Sequence, residues 1–147
     1  MRHVAILLGA VLAILTSSGL TGCGGSATPA GAPRATVVRV REQDFRIAVR
    51  PTRLPAGDVR LVLENAGPDD HELIIVRAQR RALPLRADGL TVDEEALRSV
   101  TVATLEPAGP GSTRQVRLHL TPGKYAVFCN MAGHFMGGMH ASFVVGS

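Results

Sequence analysis

The stretch GKYAVFCNMAGHFMGGM, residues 123–139, decides the interpretation of this chain. Residues 125–129 are predicted to form a strand that ends at Cys129, and a glycine-rich segment follows. If that segment folds back as a loop, the C-x4-H-x4-M spacing brings a thiolate, an imidazole and a thioether to one ion from Cys129, His134 and Met139. A second imidazole is available upstream at His71, between the turn NAGPDD, residues 65–70, and the apolar run 73–76.

This donor set points to copper. Two histidines, a cysteine and a weak axial methionine form the trigonal site of blue-copper electron transfer, because soft sulfur suits Cu(I) while imidazole also accepts Cu(II). Zinc is a poorer match, since thioether is not among the usual donors of structural zinc sites. The sequence therefore predicts one copper ion held by His71, Cys129, His134 and Met139.

The N-terminus has the pattern of a bacterial lipoprotein signal. Arg2 and His3 precede an apolar run, residues 4–15, and the segment ends in Leu-Thr-Gly-Cys at Cys23. The run is shorter than the roughly 20 residues that a membrane span requires. We therefore expect a signal peptide at residues 1–22 and a lipid on Cys23, followed by a flexible tether of Gly, Ser, Ala, Thr and Pro up to residue 35.

With Cys23 lipidated, Cys129 is the only free thiol of the mature chain. An unpaired thiol outside the cytoplasm is prone to oxidation unless it is buried or bound to a metal. An inert buried cysteine is the alternative reading, and the spacing of Cys129 to His134 and Met139 favours a ligand.

The remaining chain, residues 36–147, is expected to form one all-β domain. Short segments of alternating or continuous apolar residues recur between Gly and Pro turns, which favours a Greek-key β-sandwich of seven or eight strands. The insertion at residues 77–99 interrupts this series. It holds the one predicted helix, opened by a capping box at residues 91–94, with an apolar stripe of Ala96, Leu97 and Val100.

These motifs resemble the cupredoxins, the plastocyanin and azurin type of blue copper protein. The resemblance spans about residues 36–145 in strand order and is specific at residues 123–139 and 65–71. The C-x4-H-x4-M loop is similar to those of auracyanin-like and rusticyanin-like members, and the lipoprotein form is similar to bacterial plastocyanin-like copper-binding lipoproteins. The resemblance implies equatorial copper ligands at His71, Cys129 and His134 and an axial ligand at Met139. It also implies a tyrosine corner at Tyr125, with an ordinary half-buried aromatic as the alternative. Around His134 it implies an apolar docking surface formed by residues 135–138, with ordinary loop packing as the alternative.

Two features depart from the family pattern. Glu72 follows His71 where many members have an asparagine or aspartate that ties the ligand loops together, so the resemblance does not assign that link. Further soft donors, Met131, Met136 and His140, lie near the predicted set and are of the kind that a Cu(I) carrier would use. The two methionines are read first as gap-filling residues of an irregular loop, and His140, like His119, is read first as a solvent-facing strand residue.

The leading hypothesis is a lipid-anchored, monomeric copper protein that carries single electrons between redox partners outside the cytoplasmic membrane, facing the periplasm or the cell exterior. It is not expected to be an enzyme, because multicopper sites need more histidines than the five present. A Cu(I) chaperone and a metal-free scaffold remain alternatives. The excess of basic residues predicts an acidic partner or anionic lipid, and no nucleic-acid motif is present.

Overall fold

A computed structural model describes residues 34–78 and 82–147 of the chain. The predicted signal peptide, Cys23 and most of the predicted tether lie outside these residues. The described part contains nine strands. They are β1 (Thr36–Gln43), β2 (Arg46–Arg50), β3 (Arg53–Pro55), β4 (Gly57–Asn65), β5 (His71–Arg77), β6 (Thr101–Ala108), β7 (Thr113–Leu120), β8 (Gly123–Phe128) and β9 (His140–Gly146).

The strands form two sheets that pack as a sandwich. One sheet has the order β2-β1-β4-β7 and the other has the order β3-β9-β8-β5-β6. In the first sheet the period-two pattern buries one face: Val59, Leu61 and Leu63 of β4 are each at most 1% exposed. The predicted β-sandwich is thus confirmed, with nine strands because the short β3 and the polar-faced β6 are strands as well.

One continuous core joins the two sheets. It is formed by buried side chains from Val38 in β1 to Val145 in β9, and it includes Cys129 and Met139. Residues 32–147 form one compact unit. Because every residue of this core lies within that unit, we expect residues 32–147 to fold as a separate domain.

The insertion covers the outer face of the five-stranded sheet. Val92 and Leu97 are buried there against Ile74, Val76 and Phe128, which explains why residues 73–76 read as a strand buried on both sides. The predicted helix is present as a single turn, α1 (Glu94–Leu97), followed by a 3-10 turn (Arg98–Val100).

The predicted cap of this helix is wrong by two residues. Asp93, rather than Thr91, is the N-cap residue, and its carboxylate accepts from the N–H of Ala96 at 3.2 Å. A second single turn, α2 (His134–Gly137), lies in the loop after β8. No helix among the described residues is long and apolar enough to cross a bilayer.

Candidate copper site

His71 is the first residue of β5 and is fully buried. The turn before it is held by Asn65, whose side-chain amide donates to the carbonyls of Asp69 (2.8 Å) and Ala108 (2.9 Å) and accepts from the N–H of Gly67 at 2.9 Å. The NAGPDD turn thus fixes where β5 begins and where the His71 ring points. Asn65 is a supporting residue that the sequence marked only as part of a turn.

Cys129 follows the end of β8, as predicted, and backbone hydrogen bonds close the loop behind it. The N–H of Cys129 donates to the carbonyl of Met139 at 3.1 Å, and the N–H of Met139 donates to the carbonyl of His134 at 3.0 Å. Gly138 has φ 114°, in the left-handed region that L side chains rarely adopt, so this glycine lets the loop turn back.

The loop and the turn bring three of the four predicted ligands together. The donor atoms of His71, Cys129 and His134 all lie within 4.8 Å of one another, and Cys129 Sγ is 3.5 Å from His134 Nδ1. His71 Nδ1 is buried and has no hydrogen-bond partner among the described residues. A buried ring nitrogen is normally paired, so an unpaired one beside a thiol and a second imidazole fits a metal ligand.

Met139 is fully buried in the same core cluster as Cys129. Its backbone is fixed to both Cys129 and His134 by the loop hydrogen bonds described above. Its predicted role as the axial ligand stays a prediction.

Burial raises the pKa of the Cys129 thiol, while hydrogen bonding from the backbone amides of Met131 and Glu72 acts in the opposite direction. Without a metal, the sulfur therefore holds its proton at neutral pH. Copper binds the thiolate, so metal uptake at this site must release that proton.

Asp44 is a neighbour of the site that the sequence did not indicate. Its Oδ1 lies 2.8 Å from His71 Nε2, without the alignment of a hydrogen bond. Asp44 lies in the turn between β1 and β2, far from His71 in sequence. Only the folded sandwich brings this turn over the ring, and a carboxylate beside the outer nitrogen orients a metal-binding imidazole.

Glu72 supplies a link between the two ligand segments. Its Oε1 accepts from the N–H of Asn130, the residue after Cys129, at 3.1 Å. Glu72 therefore connects the two ligand segments, although many members of the family have an asparagine or aspartate at this position. Burial, together with the neighbouring Glu94, raises the pKa of Glu72.

Asn130 connects the copper loop to the insertion. Its side chain accepts from the N–H of Val92 at 2.6 Å and donates to the carbonyl of Val92 at 3.1 Å and to Glu94 Oε1 at 2.6 Å. Both Asn130 and Val92 are buried. The insertion is thus anchored directly beside Cys129.

The other predicted donors and histidines lie around this cluster. Met131 is partly buried against the core, and Met136 is 55% exposed. His140 is exposed and packs on Phe135 with the ring centroids 5.1 Å apart, while His119 pairs with Asp58 at 2.8 Å. Tyr125 donates its hydroxyl to the carbonyl of Thr121 at 2.8 Å, the bond expected of a tyrosine corner.

The substitution Gly67→Ala should disrupt the site more than the fold. An added Cβ would lie 2.7 Å from both His71 Nε2 and Asp44 Oδ1, closer than real Cβ contacts, so the imidazole must move. We expect the copper affinity to fall at least about tenfold, as for loss of a residue that orients a ligand. Copper titration followed by visible absorption measures this.

Gly109→Ala is the matched control, because its Cβ would meet only the Asp70 carboxylate at 3.2 Å. Copper affinity equal in the two variants would contradict the close approach of Gly67 to His71.

Glu42 and Arg114 lie close together beside the start of β5. Glu42 is fully buried, and its Oε2 lies 3.4 Å from an Nη of Arg114, which also donates to the carbonyl of His71 at 3.0 Å. Burial raises the pKa of Glu42 to about 7, because desolvation outweighs the attraction of Arg114.

Glu42→Gln should change how the stability of the metal-free domain depends on pH. Folded Glu42 keeps its proton up to about pH 7, while the unfolded chain releases it near the ordinary carboxyl pKa of 4.5. The folded state thus binds more protons in this window, so the free energy of unfolding falls as pH rises through it, by up to about 3 kcal/mol. Denaturant unfolding at several pH values should show this fall in the wild type and a smaller one in Glu42→Gln. Parallel curves would contradict the raised pKa.

Comparison with solved structures identifies the architecture. The dithionite-reduced auracyanin from Roseiflexus castenholzii is 21% identical to this chain, with 77% of this chain and 98% of that one covered and a TM-score of 0.58. For auracyanin B the identity is 25%, the coverage 77% and 90%, and the TM-score 0.57. Auracyanin A, a "blue" copper protein from Chloroflexus aurantiacus, is 16% identical, with 76% and 99% covered and a TM-score of 0.55.

No protein-family model matches the sequence, and no curated protein matches it. The structural similarity covers nearly the whole of each auracyanin. The predicted cupredoxin resemblance is thus confirmed at the level of the fold. With His71, Cys129 and His134 gathered at one end of its sandwich, the chain has the fold of the cupredoxins and a ligand cluster that fits one copper ion of the blue type.

Proposed function

We propose that this chain is a mononuclear type 1 copper protein that carries single electrons between redox partners outside the cytoplasmic membrane. The observation that carries the proposal is the cluster in which Cys129 Sγ lies 3.5 Å from His134 Nδ1, next to the buried His71 Nδ1, which has no hydrogen-bond partner in the described part of the chain. When bound there, copper supplies reversible one-electron chemistry between Cu(I) and Cu(II).

The way the ligands are held supports electron transfer. His71 begins a strand, Cys129 follows one, and their segments are joined by Glu72 and Asn130. A site fixed on rigid elements keeps its geometry when the charge of the ion changes. Little rearrangement then accompanies each electron, and we propose Met139 as the axial ligand that completes the site.

The surroundings of His134 support exchange with a protein partner. The ring is partly exposed, and Phe45 packs edge-on against it with the centroids 5.5 Å apart. Phe45 is 50% exposed and Met136 is 55% exposed. Exposed apolar residues next to a redox ligand suit brief docking, because a partner covers them without strong ion pairs.

The other histidines of the described residues take no part in the candidate copper site. His119 pairs with Asp58 on one sheet and His140 lies against Phe135, so neither forms part of a second histidine cluster there.

We further propose that Cys23 is lipidated and holds the domain at the outer surface of the cell membrane, facing the periplasm or the exterior. The lipobox-like Leu-Thr-Gly-Cys and the polar segment after it support this placement. Radiolabelled palmitate incorporation into the full chain, compared with Cys23→Ser, tests it.

The first test of the copper function is the visible spectrum of residues 32–147 after addition of one equivalent of Cu(II). We expect an intense thiolate-to-copper absorption band and a reversible one-electron wave in voltammetry. A colourless protein that binds Cu(I) alone would overturn electron transfer in favour of copper handling. A protein that binds neither ion would leave a metal-free scaffold.

Met136→Lys should slow electron exchange between two copies of the protein. A charge placed beside His134 opposes close approach of two identical surfaces, and we expect the self-exchange rate to fall about tenfold at low salt. NMR line broadening in mixtures of reduced and oxidised protein measures it. Arg98→Lys, an exposed change on the insertion, is the control, and equal rates in both variants would place docking elsewhere.

A further inference from the structure

Six arginines share the solvent face of the four-stranded sheet. They come from all four strands, and because side chains alternate along a strand, every second residue reaches the same face. Five are exposed and Arg60 is half-buried. The six residues, here called the arginine face, are Arg39, Arg41, Arg46, Arg50, Arg60 and Arg117.

The strand register places like charges directly opposite each other. Arg39 pairs with Arg50 across β1 and β2, and Arg60 pairs with Arg117 across β4 and β7. Like charges in such positions destabilise a sheet. The two arginine pairs on this face therefore lower the stability of the sheet, which could form without them.

Few acidic groups on the same face offset this charge. Glu64 pairs with Arg41 at 3.2 Å, and Asp58 is paired with His119 at 2.8 Å. No carboxylate of the described residues forms an ion pair with the other five arginines. The face is therefore strongly positive and mostly unneutralised.

We propose that the arginine face binds the anionic headgroups of the membrane that carries the protein. Charge complementarity favours such a surface, since each guanidinium can donate to the phosphate of a headgroup. The inference rests on the proposed membrane location. Residues 24–35 extend at most about 40 Å, so a lipid on Cys23 would keep the domain within reach of that surface.

The position of the arginine face also fits a membrane surface better than a redox partner. The chain enters β1 at Thr36, and the turn with Asp44 and Phe45, next to His134, follows the other end of that strand, about 25 Å away. Most of the arginines lie along the sheet between these ends. With this face on the bilayer, the end bearing His134 stays open to partners that move along the membrane.

Vesicle binding by residues 32–147 tests the proposal. We expect the domain to bind vesicles of phosphatidylcholine with one-third phosphatidylglycerol at low salt, to ignore pure phosphatidylcholine, and to be released by about 0.5 M salt. The double variant Arg39→Gln/Arg117→Gln should bind about thirtyfold more weakly. Arg86→Gln/Lys124→Gln, which removes the same charge from exposed positions on the insertion and on the five-stranded sheet, should lose less than about threefold.

The melting temperature shows whether a variant loses vesicle binding because it has lost its fold. Because Arg39→Gln/Arg117→Gln removes one charge from each pair of opposed arginines, the repulsion within each pair is lost. The melting temperature of this variant should therefore equal or exceed that of the wild type. No binding to the anionic vesicles, or equal losses in both double variants, would overturn the proposal. The proposal would also be overturned if Arg39→Gln/Arg117→Gln bound the vesicles like the wild type and only exchanged electrons more slowly with an acidic protein. Vesicle binding needs no copper, so a colourless protein that binds vesicles would refute the copper function alone.

Discussion

Cys129→Ser is expected to abolish the intense visible absorption of the copper-loaded domain completely. The band arises from transfer of charge from the thiolate to Cu(II), and Cys129 is the only cysteine after residue 23. A serine hydroxyl is hard and stays protonated, so it neither gives the band nor holds Cu(I). Loss of a supporting residue costs 10- to 100-fold in metal affinity, and loss of a ligand should cost at least about 100-fold.

The same variant should keep the fold. Cys129 is buried, and a hydroxyl in its place would cost about 1–3 kcal/mol in the free energy of unfolding of the metal-free domain if it finds no partner. Circular dichroism and denaturant unfolding measure this separately from the spectrum.

His140→Gln is the matched control for Cys129→Ser. His140 is exposed and lies outside the cluster of His71, Cys129 and His134, so its replacement should leave the band unchanged. Blue colour that survives in Cys129→Ser, or disappears in His140→Gln, would contradict the assigned cluster.

The convergence of Cys129 and His134 was predictable from the sequence because its signal is local. Cys129, His134 and Met139 lie in one short segment. Their donor atoms limit which metal the segment can bind, and the glycines around them allow it to fold back as a loop. His71 was predicted from the chemistry of the site, because a second imidazole was needed and one histidine stands at the start of an apolar strand. Such distant donors converge only in the right fold, and the alternation of apolar and polar residues in the strands was enough to predict a β-sandwich.

The residues around the cluster were not predictable in the same way. Asp44 and Phe45 occupy the turn between β1 and β2, and they approach His71 and His134 only through the packing of the two sheets. No spacing rule connects a turn to a distant loop. Glu72 shows a related limit, since a longer side chain than the family's usual residue still reaches the N–H of Asn130.

The arginine face illustrates a different limit. Along the chain its members are dispersed, and the sequence shows no long basic run. Alternation alone indicates that Arg39 and Arg41 share a face. The opposition of Arg60 and Arg117 depends on the register of β4 with β7, which only the sheet reveals.

The insertion was the least predictable segment, and its anchoring leads to the second large effect. Asn130→Ala should lower the free energy of unfolding by about 3 kcal/mol, roughly 10 °C in Tm. The change leaves the buried N–H and C=O of Val92 without the partners that Asn130 provides and removes its bond to Glu94. Since Asn130 adjoins Cys129, the copper band of this variant should also broaden or shift.

Glu94→Gln is the control that isolates the buried part of this network. Its amide oxygen can still accept from Asn130, and loss of the charge removes the repulsion that helps to raise the pKa of Glu72, so stability should change by less than about 1 kcal/mol. Thermal unfolding of both variants, with and without copper, gives the comparison. If Asn130→Ala melted with the wild type, the insertion would be held by the apolar contacts of Val92 and Leu97 alone. If it melted early but kept an unchanged band, the insertion would stabilise the sandwich without shaping the copper loop.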